Sequence, residues 1–219
     1  MMGKDMTFST CFHGRAWLSA KFLEHTTPLG RVVAACSNGD AENIALCERY
    51  GVEHVVVENK PLGLKHEAAM DLARKYGGPV MVLPSDDFVN PAYVSAALAS
   101  GADYVFPASC GFLEHATGKS CVMRWDGGNG LLYGAGRVLS GKVLDMVPRL
   151  WTPTRNRGLD QDSHCTILAA GFVPVAVDCA GVCLTDIKTG ENLWGYGQVA
   201  GRASAVPAEV VTSHFRLHV

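Results

Sequence analysis

PVMVLPSDDFVNP, residues 79–91, reads as a short, wholly apolar strand that runs straight into two carboxylates and then into the start of a helix. A strand without polar alternation is covered on both faces, so it belongs in the middle of a sheet inside a layered α/β structure. Ligands in such sheets gather at the carboxyl ends of the strands. Ser85, Asp86 and Asp87 stand at that end. Adjacent carboxylates repel each other unless a cation or ribose hydroxyls lie between them and solvent, and a hard divalent ion, Mg²⁺ or Mn²⁺, suits that need. The competing reading is that one of the pair merely caps the helix that begins near Asn90 and Pro91.

Outward from this stretch, β-rich runs alternate with helical ones, the pattern of an α/β fold with a mostly parallel central sheet. Upstream, MTFSTCF, RVVAACS and HVVVEN read as strands. The helices between them run from about Arg15 to His25, from Asp40 as N-cap to Gly51, and over PLGLKHEAAMDLARKYGG. Downstream, AYVSAALASG reads as a helix and ADYVFPAS as a strand; SCVMRW and FVPVAVDC read as strands, GRVLSGKVLDMV and SHCTILAAG as helices. The tail from about Ala203 carries no clear pattern. No internal repeat or low-complexity tract interrupts the chain.

The 219 residues, 48% hydrophobic and 18% charged, suit one globular domain over 1–219 rather than a disordered or fibrous chain. The start, MMGKDMTFSTCF, lacks the apolar region of a secretory signal, and FVPVAVDCAGVCL is too short for a membrane span and contains Asp178; a cytoplasmic location without membrane attachment is expected. Eight scattered cysteines without a C-x-x-C pair read as reduced core residues rather than a zinc site. No G-x-G-x-x-G follows the first strand and no H-E-x-x-H occurs, which excludes the usual dehydrogenase and metalloprotease signatures. The formal charge of −2 argues against a generally basic nucleic-acid binder, but Arg137, Lys142, Arg149, Arg155 and Arg157 face only Asp145 between Gly134 and Gly158, a local +4 that suits an anion.

VMVLPSDDFVNPAYV resembles the metal-binding element of family 2 glycosyltransferases of the GT-A type, and four further segments agree in order. PLGLKHEAA resembles a PLGxKxNxA element of small stand-alone phage and bacterial members, with Glu67 standing where that element has Asn. GAGRVLSGKVLD, RLWTPTRNRGLD and LTDIKTGENLWGY resemble the GAGR-x-LS, LW...RGLD and D-I-K-x-G-x-N elements. The resemblance implies a single-domain nucleotide-diphospho-sugar transferase fold, with a nucleotide-sugar half over about 5–130, an acceptor half over about 131–200 and a tail over 203–219. It also implies a nucleotide-sugar donor, UDP-sugar first among them, and Mn²⁺ or Mg²⁺.

On that resemblance Asp87 holds the metal, Asp86 meets the ribose or shares the metal, and Asp186 is the third candidate ligand. Phe12, His13, Gly14, Ser37, Asn38, Asp40, Gly63, Lys65 and Lys188 line the nucleotide. Inverting transfer needs a carboxylate to take the acceptor's proton; Asp160 is the first candidate and Asp162 the second, either being an N-cap in the plainer reading. Trp125, Tyr133, Gly134, Arg137, Trp151, Arg155 and Arg157 fall on the acceptor side. The basic segment and the phage-type resemblance point to a hydroxymethylated pyrimidine in DNA as acceptor, with the host cytoplasm as location; a surface glycan or small molecule is the other option. The rival enzyme is a nucleotidyltransferase, for which FHGRAWL is a poor triphosphate loop. A non-catalytic binding module is the rival of a different class.

Overall fold

The computed structural model describes residues 6–125, 133–192 and 195–215. Its first half follows the alternation read in the sequence: β1 (Thr7–Phe12), α1 (Ala16–Thr26), β2 (Arg31–Ser37), α2 (Ala41–Tyr50), β3 (Glu53–Val57), α3 (Leu62–Arg74), β4 (Val80–Val82), β5 (Asp87–Val89) and α4 (Pro91–Ala99). Local chemistry sets the ends of these elements. The Asp40 carboxylate caps α2 on the Asn43 amide, and Gly51 ends that helix at φ 64, a conformation glycine reaches without a Cβ clash. Asn90 caps α4, with Pro91 at the first helical position where its missing N–H is harmless.

The second half comprises β6 (Tyr104–Pro107), β7 (Ser109–Glu114), β8 (Ser120–Arg124), β9 (Arg137–Leu139), α5 (Gly141–Met146), α6 (Leu159–Ala169), β10 (Val175–Val177), β11 (Leu184–Lys188), α7 (Tyr196–Ala200), β12 (Ser204–Ala205) and α8 (Ala208–Thr212). Seven strands form the central sheet in the order β10-β6-β9-β4-β1-β2-β3, mostly parallel, with β9 antiparallel between β4 and β6. A second sheet, β12-β8-β7-β11-β5, stands beside it. Alternation along the central strands explains why β4 is apolar throughout: Met81 enters the core under α1 and α4, whereas Val80 and Val82 enter the core under α3, α5 and α6.

Five readings change. GRVLSGKVLDMV is not one helix, because Val138 and Leu139 pair between β4 and β6 and only the residues after Ser140, which caps α5, turn helical. ADYVFPAS splits into β6 and β7, which belong to different sheets, and FVPVAVDC narrows to β10. Helix α6 begins at Leu159 with Gly158 as its N-cap residue, so Asp160 and Asp162 lie in the first turn instead of preceding it. The tail holds β12 and α8, and the Val211 carbonyl of α8 accepts the Thr185 hydroxyl at 2.6 Å, which seats it behind β11.

Candidate functional site

β5 and β11 run antiparallel with Asp87 opposite Asp186, so both carboxylates leave the same face of the smaller sheet. Period-two alternation puts Lys188 on that face as well, and its Nζ lies 2.6 Å from Asp186 Oδ2. Tyr133 donates its hydroxyl to the same Oδ2. Asp87, Asp186 and Lys188 are all buried, yet Asp87 Oδ1 and Asp186 Oδ1 have no hydrogen-bond partner. Burial first, and then the charges of Asp186 and Asp86, hold the Asp87 carboxyl above the usual carboxylate range; Lys188 opposes this and Asp160 adds slightly to it. Burial also raises Asp186, to about 6, against the pull of Lys188. Burial alone would lower the Lys188 ammonium, but Asp186 and its neighbours outweigh that and raise it.

Among the described residues no group of three or more His, Cys, Asp or Glu side chains could hold a metal by itself. Two carboxylates with orphaned oxygens nonetheless fit a Mg²⁺ or Mn²⁺ ion that takes its remaining oxygens from a diphosphate and water. Asp86 stands beside them on a different footing. Its Oδ2 accepts Arg15 Nη1 at 3.1 Å and Asn192 Nδ2 at 2.8 Å. Arg15 is the one non-glycine residue with positive φ among those described, at φ 48, and it also reaches Thr189. Arg15 and Asn192 were missed as site residues from the sequence. The only signals were the arginine directly after Gly14 and the last position of the D-I-K-x-G-x-N element.

The nucleotide-side candidates cluster at the ends of β1 and β2. Lys65 is buried, its ammonium donating to Phe12 O (2.6 Å), Ser37 Oγ (2.6 Å) and Asn59 Oδ1 (3.1 Å). Burial lowers its pKa. Asp40 accepts from Gly14 N at 2.8 Å and from Asn43, which ties the first loop to α2. His13 and Asn38 are exposed, Asn38 donating to Glu58 at 3.1 Å. Gly63 packs against another segment: a Cβ there would overlap the Thr152 carbonyl. Lys65→Met should lower stability by about 1–3 kcal/mol, since it leaves the Ser37 hydroxyl as the one side-chain donor shared between Phe12 O and Asn59 Oδ1. Urea unfolding checks this; an unchanged midpoint would mean that water satisfies them.

On the other side, α6 presents Asp160 with its side chain 62% exposed and its carboxylate against Gly134, where a Cβ would overlap it. Asp162 is engaged instead, accepting Thr152 N at 2.6 Å and Thr152 Oγ1 at 3.0 Å and lying 3.3 Å from Arg155 Nε. Arg137 points inward, donating to Ser163 Oγ at 2.8 Å and the Asp160 carbonyl at 2.7 Å, and Trp151 is buried against His66. Lys142 pairs with Asp103 at 3.2 Å. The basic segment is therefore not one exposed cluster: Arg149, Arg155 and Arg157 face solvent, Arg137 does not. Trp125 stacks on Tyr133, with ring centroids 5.7 Å apart, beside the Asp186 carboxylate.

Sheet order, the antiparallel β9 and the carboxylates at the strand ends define the GT-A, or nucleotide-diphospho-sugar transferase, type of fold. Solved structures agree. The inositol-1-phosphate CTP transferase from T. maritima is 12% identical, with a TM-score of 0.59 over 99% of this chain and 100% of that one. The glucosyl-3-phosphoglycerate synthase from Mycobacterium tuberculosis, solved with Mn²⁺, UDP and phosphoglyceric acid, is 12% identical, with a TM-score of 0.54 over 80% of this chain and 69% of that one. The same synthase solved with Mn²⁺, UDP-glucose and phosphoglyceric acid is 13% identical at a TM-score of 0.51, over 80% and 70%. At such identities the likeness is one of fold. No family model and no curated protein matches the sequence. No helix among the described residues is long and apolar enough to cross a membrane.

Proposed function

We propose that this protein is a metal-dependent, inverting glycosyltransferase that moves a sugar from a UDP-sugar to an acceptor hydroxyl. The observation that carries this reading is the pair of orphaned, buried oxygens on Asp87 and Asp186, with the exposed carboxylate of Asp160, 3.7 Å from Arg137 Nη2, as the candidate base. Bound at Asp87 and Asp186, Mg²⁺ or Mn²⁺ would neutralise charge on the leaving diphosphate. Asp86, held by Arg15 and Asn192, is positioned for the ribose, and Lys188 supplies a further positive charge. Asp160 takes the proton of the acceptor hydroxyl as its oxygen bonds to the anomeric carbon from the face opposite the diphosphate. The bond from that carbon to the diphosphate breaks, and the nucleoside diphosphate leaves with the electron pair.

For the acceptor we infer a hydroxymethylated pyrimidine in DNA, supported by exposed Arg149, Arg155 and Arg157 in the segment leading into α6. The test is to incubate the protein with Mn²⁺, nucleotide-sugars and DNA carrying 5-hydroxymethylcytosine or 5-hydroxymethyluracil, then weigh the nucleosides. A hexose-sized gain supports the acceptor; nucleoside diphosphate release without that gain turns it toward a glycan or small molecule. A nucleotidyltransferase is the second reading, favoured by the end-to-end likeness to the T. maritima CTP transferase. Pyrophosphate released from a nucleoside triphosphate and a sugar phosphate, with no cleavage of nucleotide-sugars, would establish it instead.

A further inference from the structure

We propose that Glu67 is a positioning residue that sets where Asp160 stands, through the segment of residues 150–162; the part given to Asp160 rests on the function proposed above. Glu67 lies on α3 and is 5% exposed. A carboxylate in such a place is costly unless its oxygens are used. Its Oε1 accepts two consecutive backbone amides, Leu150 N at 2.5 Å and Trp151 N at 2.7 Å. Burial raises its pKa and those two amides oppose the rise.

The same helix grips the segment at further points. Its first turn has no side-chain cap of its own. The Leu62 amide is satisfied by Asn156 Oδ1 at 3.0 Å, and the Gly63 amide by the Arg155 carbonyl at 2.9 Å. Gly63 lets the backbones meet, since any Cβ there would strike the Thr152 carbonyl. The next link is Thr152, whose amide and hydroxyl both go to Asp162. Asp162 lies in the first turn of α6, two residues from Asp160. The path therefore runs from Glu67 through Leu150, Trp151 and Thr152 to Asp162, and so to the register of the turn that carries Asp160. Two residues before Glu67, Lys65 fixes the ends of β1 and β2, so one helix references both the nucleotide side and the acceptor side.

Amide hydrogen exchange on the whole chain tests the clamp, with E67A and E67Q compared to the unaltered protein. E67A should speed exchange in peptides covering 150–162 by about tenfold or more and leave β1 and β2 unchanged, the pattern of local opening. E67Q keeps an oxygen that accepts both amides and should restore protection. In hydrolysis of UDP-glucose with Mn²⁺, E67A should lower kcat by about tenfold while KM for the donor stays within about twofold. Adding D162N to E67A should lower kcat little further, because both act through one segment. Unchanged exchange at 150–162 in E67A overturns the proposal, as does faster exchange spread equally over β1 and β2, or failure of E67Q to rescue. If the unaltered protein shows no turnover of UDP-glucose or any other nucleotide-sugar, the proposed function fails, and exchange alone decides the clamp.

Discussion

Asp87→Asn should abolish sugar transfer and at the same time raise the unfolding temperature of the ligand-free protein. The two effects have one cause. Asp87 is 1% exposed, lies opposite Asp186 in the β5–β11 ladder and leaves Oδ1 without a partner. Burial and the neighbouring carboxylates raise its pKa in the folded state. For a group shifted upward, the unfolded chain loses its proton at a lower pH than the folded one, so stability is complete below the unfolded value of about 4 and falls as pH rises toward the folded value. Asparagine keeps the shape and does not titrate. The gain should be absent near pH 4 and reach about 2–4 °C at neutral pH, the response of a domain of this size to about 1 kcal/mol. Stabilisation by UDP with Mn²⁺ should vanish in the same variant, because the charge that holds the cation is gone. Thermal unfolding with and without UDP and Mn²⁺, from pH 4 to 8, reads all of this. A Mn²⁺-dependent shift that survives the substitution would remove Asp87 from the metal centre.

The parts of the fold legible in the sequence are those fixed by neighbours in the chain. Strands β1 to β4 follow from apolar runs, and α2 from the Asp40 cap and the Gly51 stop. Strand β9 is the counter-example. Val138 and Leu139 fit a helical spacing with the residues after them, and only pairing with β4 and β6 makes them extended. Ser140, a good cap residue, was the available mark of the boundary. β5 is three residues long and its partner β11 comes late in the chain, so SDDFVNP looks like a loop until the second sheet exists.

The site divides in the same way. A strand ending in two carboxylates, and a late Asp-Ile-Lys, are local marks, and the structure brings Asp86, Asp87, Asp186 and Lys188 together. What the marks lack is the set of side chains that orient them. Arg15 reaches Asp86 across 71 positions, and Glu67 reaches Leu150 across 83. Each is an ordinary helix or loop residue on its own. Charge counting failed at Arg137 for a related reason: a guanidinium with buried acceptors in reach contributes to packing and not to an external field.

Asp160→Asn should lower turnover by about 10²-fold or more, the range for a lost general base, with the unfolding temperature and UDP binding nearly unchanged. Asp162→Asn should do the reverse, destabilising the protein while leaving more turnover than Asp160→Asn. The contrast follows from what each carboxylate touches. Asp160 has its side chain 62% exposed, so a proton can reach it, and its one ionic partner, the buried Arg137 at 3.7 Å, keeps the Ser163 hydroxyl and the Asp160 carbonyl as acceptors when the charge is lost. Asp162 is 11% exposed at the side chain and holds Thr152 through both oxygens, with Arg155 beside it. An amide there keeps one acceptor for the Thr152 N–H and puts an N–H donor beside Arg155 Nε in place of a carboxylate oxygen, which costs about 1–3 kcal/mol when such a group is buried. Steady-state hydrolysis of UDP-glucose beside thermal unfolding separates the two variants. Should Asp162→Asn lose turnover at an unchanged unfolding temperature while Asp160→Asn stays active, the base is Asp162, and Thr152 is its orienting partner.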